Sequence, residues 1–145
     1  MPGTAPDPPP QPVPDADSRG HWEATAEGRL ALRRCQECGW WAHPPLERCR
    51  RCAGLTAYEA VGGEGTLHSF TVIHRAAVPG FGDQVPYVVG LVDLDEQGGL
   101  RLAARIEGVG AGQVHVGQRV RARIVAHPGG EFHVPVFSPV VSPRR

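Results

Sequence analysis

The sequence predicts a mainly β protein: a short N-terminal helix and a four-cysteine metal ribbon, followed by a five-stranded barrel. Three observations predict it. Two C-x-x-C pairs, Cys35/Cys38 and Cys49/Cys52, are separated by a ten-residue spacer. Five β-rich runs follow, divided by Gly/Pro turns. A single short helical stretch lies between a proline-rich leader and the first cysteine pair.

The elements follow in order. Residues 1–15, MPGTAPDPPPQPVPD, contain almost no large apolar side chain and are expected to form a disordered tail. A helix follows, capped by Asp17 or Ser18 and ended by Gly28, with Trp22 and Ala26 on one face at i,i+4 spacing. LALRR (30–34) leads as a strand into the ribbon, so 16–58 reads as helix plus ribbon. In each pair, a two-residue gap lets two thiolates point at one ion from a tight turn. Two such turns supply the four soft ligands of a closed tetrahedral site. Gly39 and Gly54 follow the pairs and suit a knuckle that needs an unusual backbone angle. Zinc is the expected occupant. Iron in a rubredoxin-like site takes the same ligands. Two disulfides and a redox C-x-x-C are the competing readings; the lack of a signal peptide stands against the first, and the second pair nearby against the other.

Residues 59–145 read as the barrel. GTLHSFTVIHR (65–75), YVVGLVDLD (87–95) and LRLAARI (100–106) are three strand runs. QRVRARIVA (118–126) alternates, with Arg119, Arg121 and Arg123 on one side and Val120, Ala122 and Ile124 on the other. EFHVPVFSPV (131–140) is the last strand, and Pro135 and Pro139 predict an edge or a break there. Gly90 inside the second run fits the sharp bend of a small barrel. An OB-type fold is the leading candidate, with a β-sandwich as the alternative.

Composition narrows the function classes. Fifteen basic residues balance fifteen acidic ones, so bulk charge does not call for nucleic acid. The balance is uneven: residues 29–52 hold six arginines against two glutamates. No apolar run approaches membrane-spanning length. Reduced cysteines and the lack of a targeting segment predict a cytoplasmic protein. With all four cysteines on the metal, none is left as a nucleophile. The seven histidines form no recognisable acid/base constellation: His68 and His74 share a strand face by period-2 counting, and His43 sits between the cysteine pairs. Asp93, Asp95 and Glu96 read as a solvated turn. The arginine stripe reads as a solvated strand face, with a phosphate or acidic-partner contact as its alternative. No catalytic residue is assigned.

The loop 76–86, AAVPGFGDQVP, is long for a hairpin connection, and long loops in compact domains are often functional. Phe81 stands between glycines at its tip, either as an exposed contact residue or as a plug over the barrel.

Taken together, the stretch GRLALRRCQECG, the second cysteine pair, TVIHRAAVPGF, PYVVGLVDLD and the closing VPVFSPV resemble the acyl-CoA-associated family known as domain of unknown function thirty-five. The resemblance covers about residues 18–140. Trp40–Trp41 departs from the family's less bulky spacer. The resemblance implies a rubredoxin-like zinc ribbon joined to an OB-fold barrel. It also implies an accessory subunit of thiolase-superfamily complexes in acyl-CoA, steroid side-chain or polyketide metabolism, whose partner carries the chemistry. An acyl-CoA site needs cations for phosphate and an apolar lip for the acyl arm. His74 and Arg75 at the head of the loop and Phe81 at its tip are the candidates, with Pro79, Gly80, Pro86 and Tyr87 setting its shape. The competing class is a zinc-ribbon/OB nucleic-acid-binding protein, kept open by the six ribbon arginines.

Overall fold

The computed structural model describes residues 7–141. Among them are one helix, α1 (Arg19–Ala26), and eight strands: β1 (Ala31–Cys35), β2 (Trp41–Ala42), β3 (Thr56–Ala60), β4 (Glu64–Ile73), β5 (Tyr87–Leu94), β6 (Arg101–Ile106), β7 (Arg119–Ala126) and β8 (His133–Pro139). The first three strands form a small antiparallel sheet in the order β2-β1-β3. The last five close a barrel in the order β4-β5-β6-β8-β7. The chain is thus mainly β, with the five-stranded OB barrel expected of it. Because β4 pairs with both β5 and β7, the sheet has no free edge and the sandwich alternative falls.

Alternation fills the barrel. Leu67, Val92, Val120 and Phe137 are essentially inaccessible, and Leu102 and Ile106 join them from β6. Gly90 serves close packing: a Cβ there would stand 2.6 Å from Leu67 Cδ1 and 3.0 Å from Ile106 Cδ1. β8 is not an edge strand, contrary to what its prolines suggest. It pairs with β7 along its length and with β6 through Arg105↔Val136 and Ile106↔Phe137 only. Pro135 and Pro139 flank that short parallel contact, so neither missing N–H falls within it. The period-2 count from His68 to His74 also fails. β4 carries a bulge between Leu67 and Ser69, which shifts the phase, and the strand ends at Ile73. His68 instead faces Asp93, with Nδ1 3.4 Å from Oδ2.

α1 lies across the junction of the two sheets. Ala24 and Thr25 are its buried residues, while Ala26 is exposed. Trp22 packs edge-on against Phe132, with centroids 5.3 Å apart. Gly20 lets the helix approach Tyr58 closely, because a Cβ would overlap that ring. Ribbon and barrel are joined by Gln97 in the turn after β5. Trp41 N donates to Gln97 Oε1 at 2.9 Å, and Gln97 Nε2 donates to Trp41 O at 3.0 Å. Gln97→Ala should therefore lower stability in urea unfolding by about 1–3 kcal/mol with metal content unchanged. Unchanged stability would mean that this pair does not hold the units together.

Residues 7–15 carry no regular element. Pro9 is nonetheless buried, and Gln11 Nε2 donates to Pro128 O at 2.9 Å. Residues 8–11 of the stretch expected to be a disordered tail are thus docked on the barrel, and residues 1–6 lie outside the described residues.

Candidate functional site

Two turns place the four cysteines. Cys35 ends β1 and Cys38 follows in its turn, while Cys49 and Cys52 come from the turn before β3. Their sulfurs all lie within 4.8 Å of one another, with Cys35–Cys52 at 3.4 Å and Cys38–Cys49 at 3.5 Å. A tetrahedron with metal–sulfur bonds of ~2.3 Å has edges of ~3.8 Å, so the donor set fits a tetrathiolate ion. The thiols are free, which excludes the disulfide reading. Backbone amides point at the sulfurs: Cys38 N to Cys35 Sγ at 3.4 Å, Arg51 N to Cys49 Sγ at 3.3 Å and Gly54 N to Cys52 Sγ at 3.4 Å. Gly39 adopts the expected positive φ of 79°. Gly54 does not; Ala53 takes that conformation at φ 64°. Gly54 is needed for room instead, since a Cβ there would lie 3.0 Å from Cys35 Sγ.

Electrostatics fit the same conclusion. The Cys38 N–H directed at Cys35 holds that thiol down at about 6. Burial raises the Cys49 thiol, but the Arg51 and Cys52 amides outweigh it and leave it below the ordinary range. The Gly54 amide favours the Cys52 thiolate, yet the neighbouring Cys35 and Cys38 sulfurs oppose further negative charge and push it up to about 12. Four sulfurs this close cannot all ionise alone. A cation at their centre removes the conflict, and the amides stabilise the resulting thiolates.

The second feature is an apolar groove of about 480 Å³ bounded by α1, β6, β8, the 76–86 loop and the β7–β8 turn. This volume is within the range of small-molecule sites. Phe81 is half-buried in its wall, so the loop folds back rather than standing free. Its ring lies 6.0 Å from Tyr87, over which the Arg105 guanidinium sits at 4.2 Å. Gln84 accepts a hydrogen bond from Arg105 Nη1 and donates to Gly80 O at 3.0 Å, fixing the loop. Pro79 and Gly80 line a shallower depression beside Val78. His74 and Arg75 are exposed at the loop's head and do not line the groove; Pro86 is exposed at its far end. Sequence reasoning gave no site role to Arg105, Gln84 or Trp22. The legible signal for Arg105 was a charge inside the apolar run LRLAARI.

The remaining candidates resolve into structure. Arg119 makes a bidentate pair with Asp95, both contacts 2.7 Å; this lowers the Asp95 carboxyl and raises the guanidinium. Arg121 pairs with Glu64 and Arg123 with Glu107, so the stripe is internally neutralised. Glu96 accepts from Gly62 N. Among the ribbon arginines, Arg29 pairs with Glu27, Arg34 with Glu59, Arg33 caps carbonyls of Ala16 and Asp17, Arg48 donates to Ala53 O, and Arg51 lies 4.6 Å over Trp40. Carboxylates thus neutralise Arg29 and Arg34, while carbonyls and the Trp40 ring hold Arg33, Arg48 and Arg51 in place without cancelling their charge. Burial lowers the His43 imidazole, and burial followed by His43 lowers His21, so both favour the neutral form. Among the described residues no helix is long and apolar enough to cross a membrane.

Comparison with known proteins gives two family-model matches. Residues 22–58 match the ChsH2 rubredoxin-like zinc ribbon domain, and residues 58–125 match the ChsH2 C-terminal OB-fold domain. The chain is 34% identical over 135 residues to a probable enoyl-CoA hydratase alpha subunit of Thermomonospora curvata, covering 91% of this chain and 40% of that one. It is 32% identical over 91 residues to a DUF35 domain-containing scaffold protein of Methanocaldococcus jannaschii, covering 61% of this chain and 62% of that one. The chain thus spans less than two thirds of either curated relative. A solved structure titled Ltp2-ChsH2(DUF35) aldolase superposes with a TM-score of 0.81 at 31% identity, over 90% of this chain and all of that one.

Proposed function

Because the chain belongs to the DUF35 family, in its ChsH2 form of zinc ribbon and OB barrel, we propose that it is a non-catalytic accessory subunit that binds acyl-CoA beside an enzyme partner. The observation that carries this reading is the groove of about 480 Å³ walled by Phe81, with Tyr87 and Arg105 stacked at its side. Its apolar wall suits an acyl or pantetheine arm. In this reading Arg75 and His74, exposed at the head of the same loop, supply the cations for the phosphates. Pro79, Gly80 and Pro86 shape the loop between them. All four thiols converge on the metal, which we assign as zinc, so bond-making residues come from the partner. That partner is a thiolase-superfamily protein. The names of the similar proteins, an aldolase complex and a hydratase alpha subunit, support an acyl-CoA enzyme as companion.

Phe81→Ala and Arg75→Ala each test the site by calorimetric titration with a long-chain acyl-CoA. Each is expected to weaken binding about tenfold, or ~1.4 kcal/mol, with metal content unchanged. Wild-type affinity in both variants, together with unchanged activity of the reconstituted complex, removes the loop from the site.

A further inference from the structure

The groove already has an occupant at its mouth. Pro8–Gln11 crosses from the 76–86 loop to the β7–β8 turn, and both sides of the crossing are built for it. Gly80 has a φ of 90°, and a Cβ there would lie 2.3 Å from Pro9 N and 2.5 Å from Pro9 Cα. On the other side, a Cβ on Gly129 would lie 2.9 Å from Pro8 Cβ, and one on Gly130 2.1 Å from Gln11 Oε1. At Gly80 and Gly129, both at positive φ, only glycine leaves room for the chain between them, while at Gly130 the close atom is the movable end of the Gln11 side chain.

The polar contacts match a proline run as well. Prolines 8–10 have no N–H to satisfy and offer only carbonyl acceptors. The slot supplies a donor: His127 Nε2 is 2.8 Å from Pro10 O. Gln11 Nε2 closes the crossing on Pro128 O at 2.9 Å and on Pro9 O at 3.1 Å. Fixed proline φ angles also reduce the entropy lost on docking. The attachment is nevertheless incomplete. Gln11 Oε1 is buried without a hydrogen-bond partner among the described residues, a desolvation cost that release recovers. Pro9 itself is buried in the groove wall, so the segment ties the two rims together over the cavity.

We propose that Gly80, His127 and the Gly129–Gly130 turn form a binding slot for an extended proline-rich segment, filled in cis by Pro8–Gln11, which acts as a releasable strap closing the groove. The strap stands on this geometry. Only the identity of the ligand it excludes, an acyl arm, rests on the function proposed above.

The test compares the full chain, a chain lacking residues 1–12, and full-length Pro9→Asp, which sets a charge against the apolar slot. The probe is 1-anilinonaphthalene-8-sulfonate, titrated by fluorescence. If the strap leaves the groove open about a tenth of the time, truncation tightens probe binding about tenfold. Pro9→Asp shifts it the same way, and a synthetic peptide of residues 7–13 added to the truncated chain reverses the gain. Probe affinity that is unchanged or weaker in variants with wild-type metal stoichiometry overturns the strap, as does a peptide without effect. Should the truncated chain fail to fold, Pro9→Asp decides alone. If probe and peptide behave as stated while acyl-CoA binds neither form, the proposed ligand is wrong and the strap stands.

Discussion

Cys49→Ser is expected to abolish metal binding and unfold the ribbon while the barrel keeps its fold. The ribbon sheet consists of five, two and five residues in three strands, too small to bury a core of its own. Its order depends on one ion held by four sulfurs within 4.8 Å. Structural tetrathiolate sites contribute on the order of 10–16 kcal/mol of apparent binding free energy near neutral pH, far more than any single contact here. Elemental analysis of the wild-type protein should give about one zinc per chain, with iron distinguished by its visible absorption. The variant should bind none. Near-ultraviolet circular dichroism from Trp40 and Trp41 should collapse, because Trp41 is buried between ribbon and barrel and Trp40 lies under Arg51. A variant with wild-type melting and tryptophan signals would show that the ribbon stands without its metal. Wild-type protein carrying no metal would remove the centre altogether.

Phe137→Ala tests the barrel. Phe137 is fully inaccessible and lies where β8 pairs with both β6 and β7. Emptying that position removes the largest fully buried side chain and leaves a cavity that the closed sheet cannot collapse around. The expected cost is ~3–5 kcal/mol, a fall of roughly 15–30 °C in barrel melting. Metal stoichiometry should stay at the wild-type value, since the cysteines lie on the other sheet. Leu91→Ala, at a 38% exposed position on β5, is the control and should cost about 0.5 kcal/mol or less. Equal effects at the two positions would contradict the assigned core.

The two variants separate the roles of the two units. The ribbon orders one short stretch of chain around an ion. The barrel carries the groove, through β6, β8 and the loop leaving β4. Gln97 and α1 bridge them.

Much local chemistry that depends on neighbours in sequence was readable, although the positive φ expected at Gly54 falls on Ala53. The C-x-x-C spacing identifies the metal ligands because each pair is built within one turn. The strand runs show through because side-chain alternation is a property of the extended backbone itself. Gly39 declares its turn for the same reason.

What escaped the sequence depends on distance in space. A bulge in β4 broke the histidine count, and barrel closure placed β8 between two neighbours despite its prolines. Arg105 and Tyr87 come from different strands, and only their register brings guanidinium onto ring. The arginine stripe looked available until Glu64, Asp95 and Glu107 arrived from other segments to neutralise it. The proline-rich segment, too polar and stiff to form a core, gains its place only because two glycine turns far along the chain converge around it. Ligand type and strand identity were therefore set by the sequence alone, being covalent or periodic properties. The groove, its lining and its strap were decided by closure of the barrel, which sets segments distant in the chain a few ångströms apart.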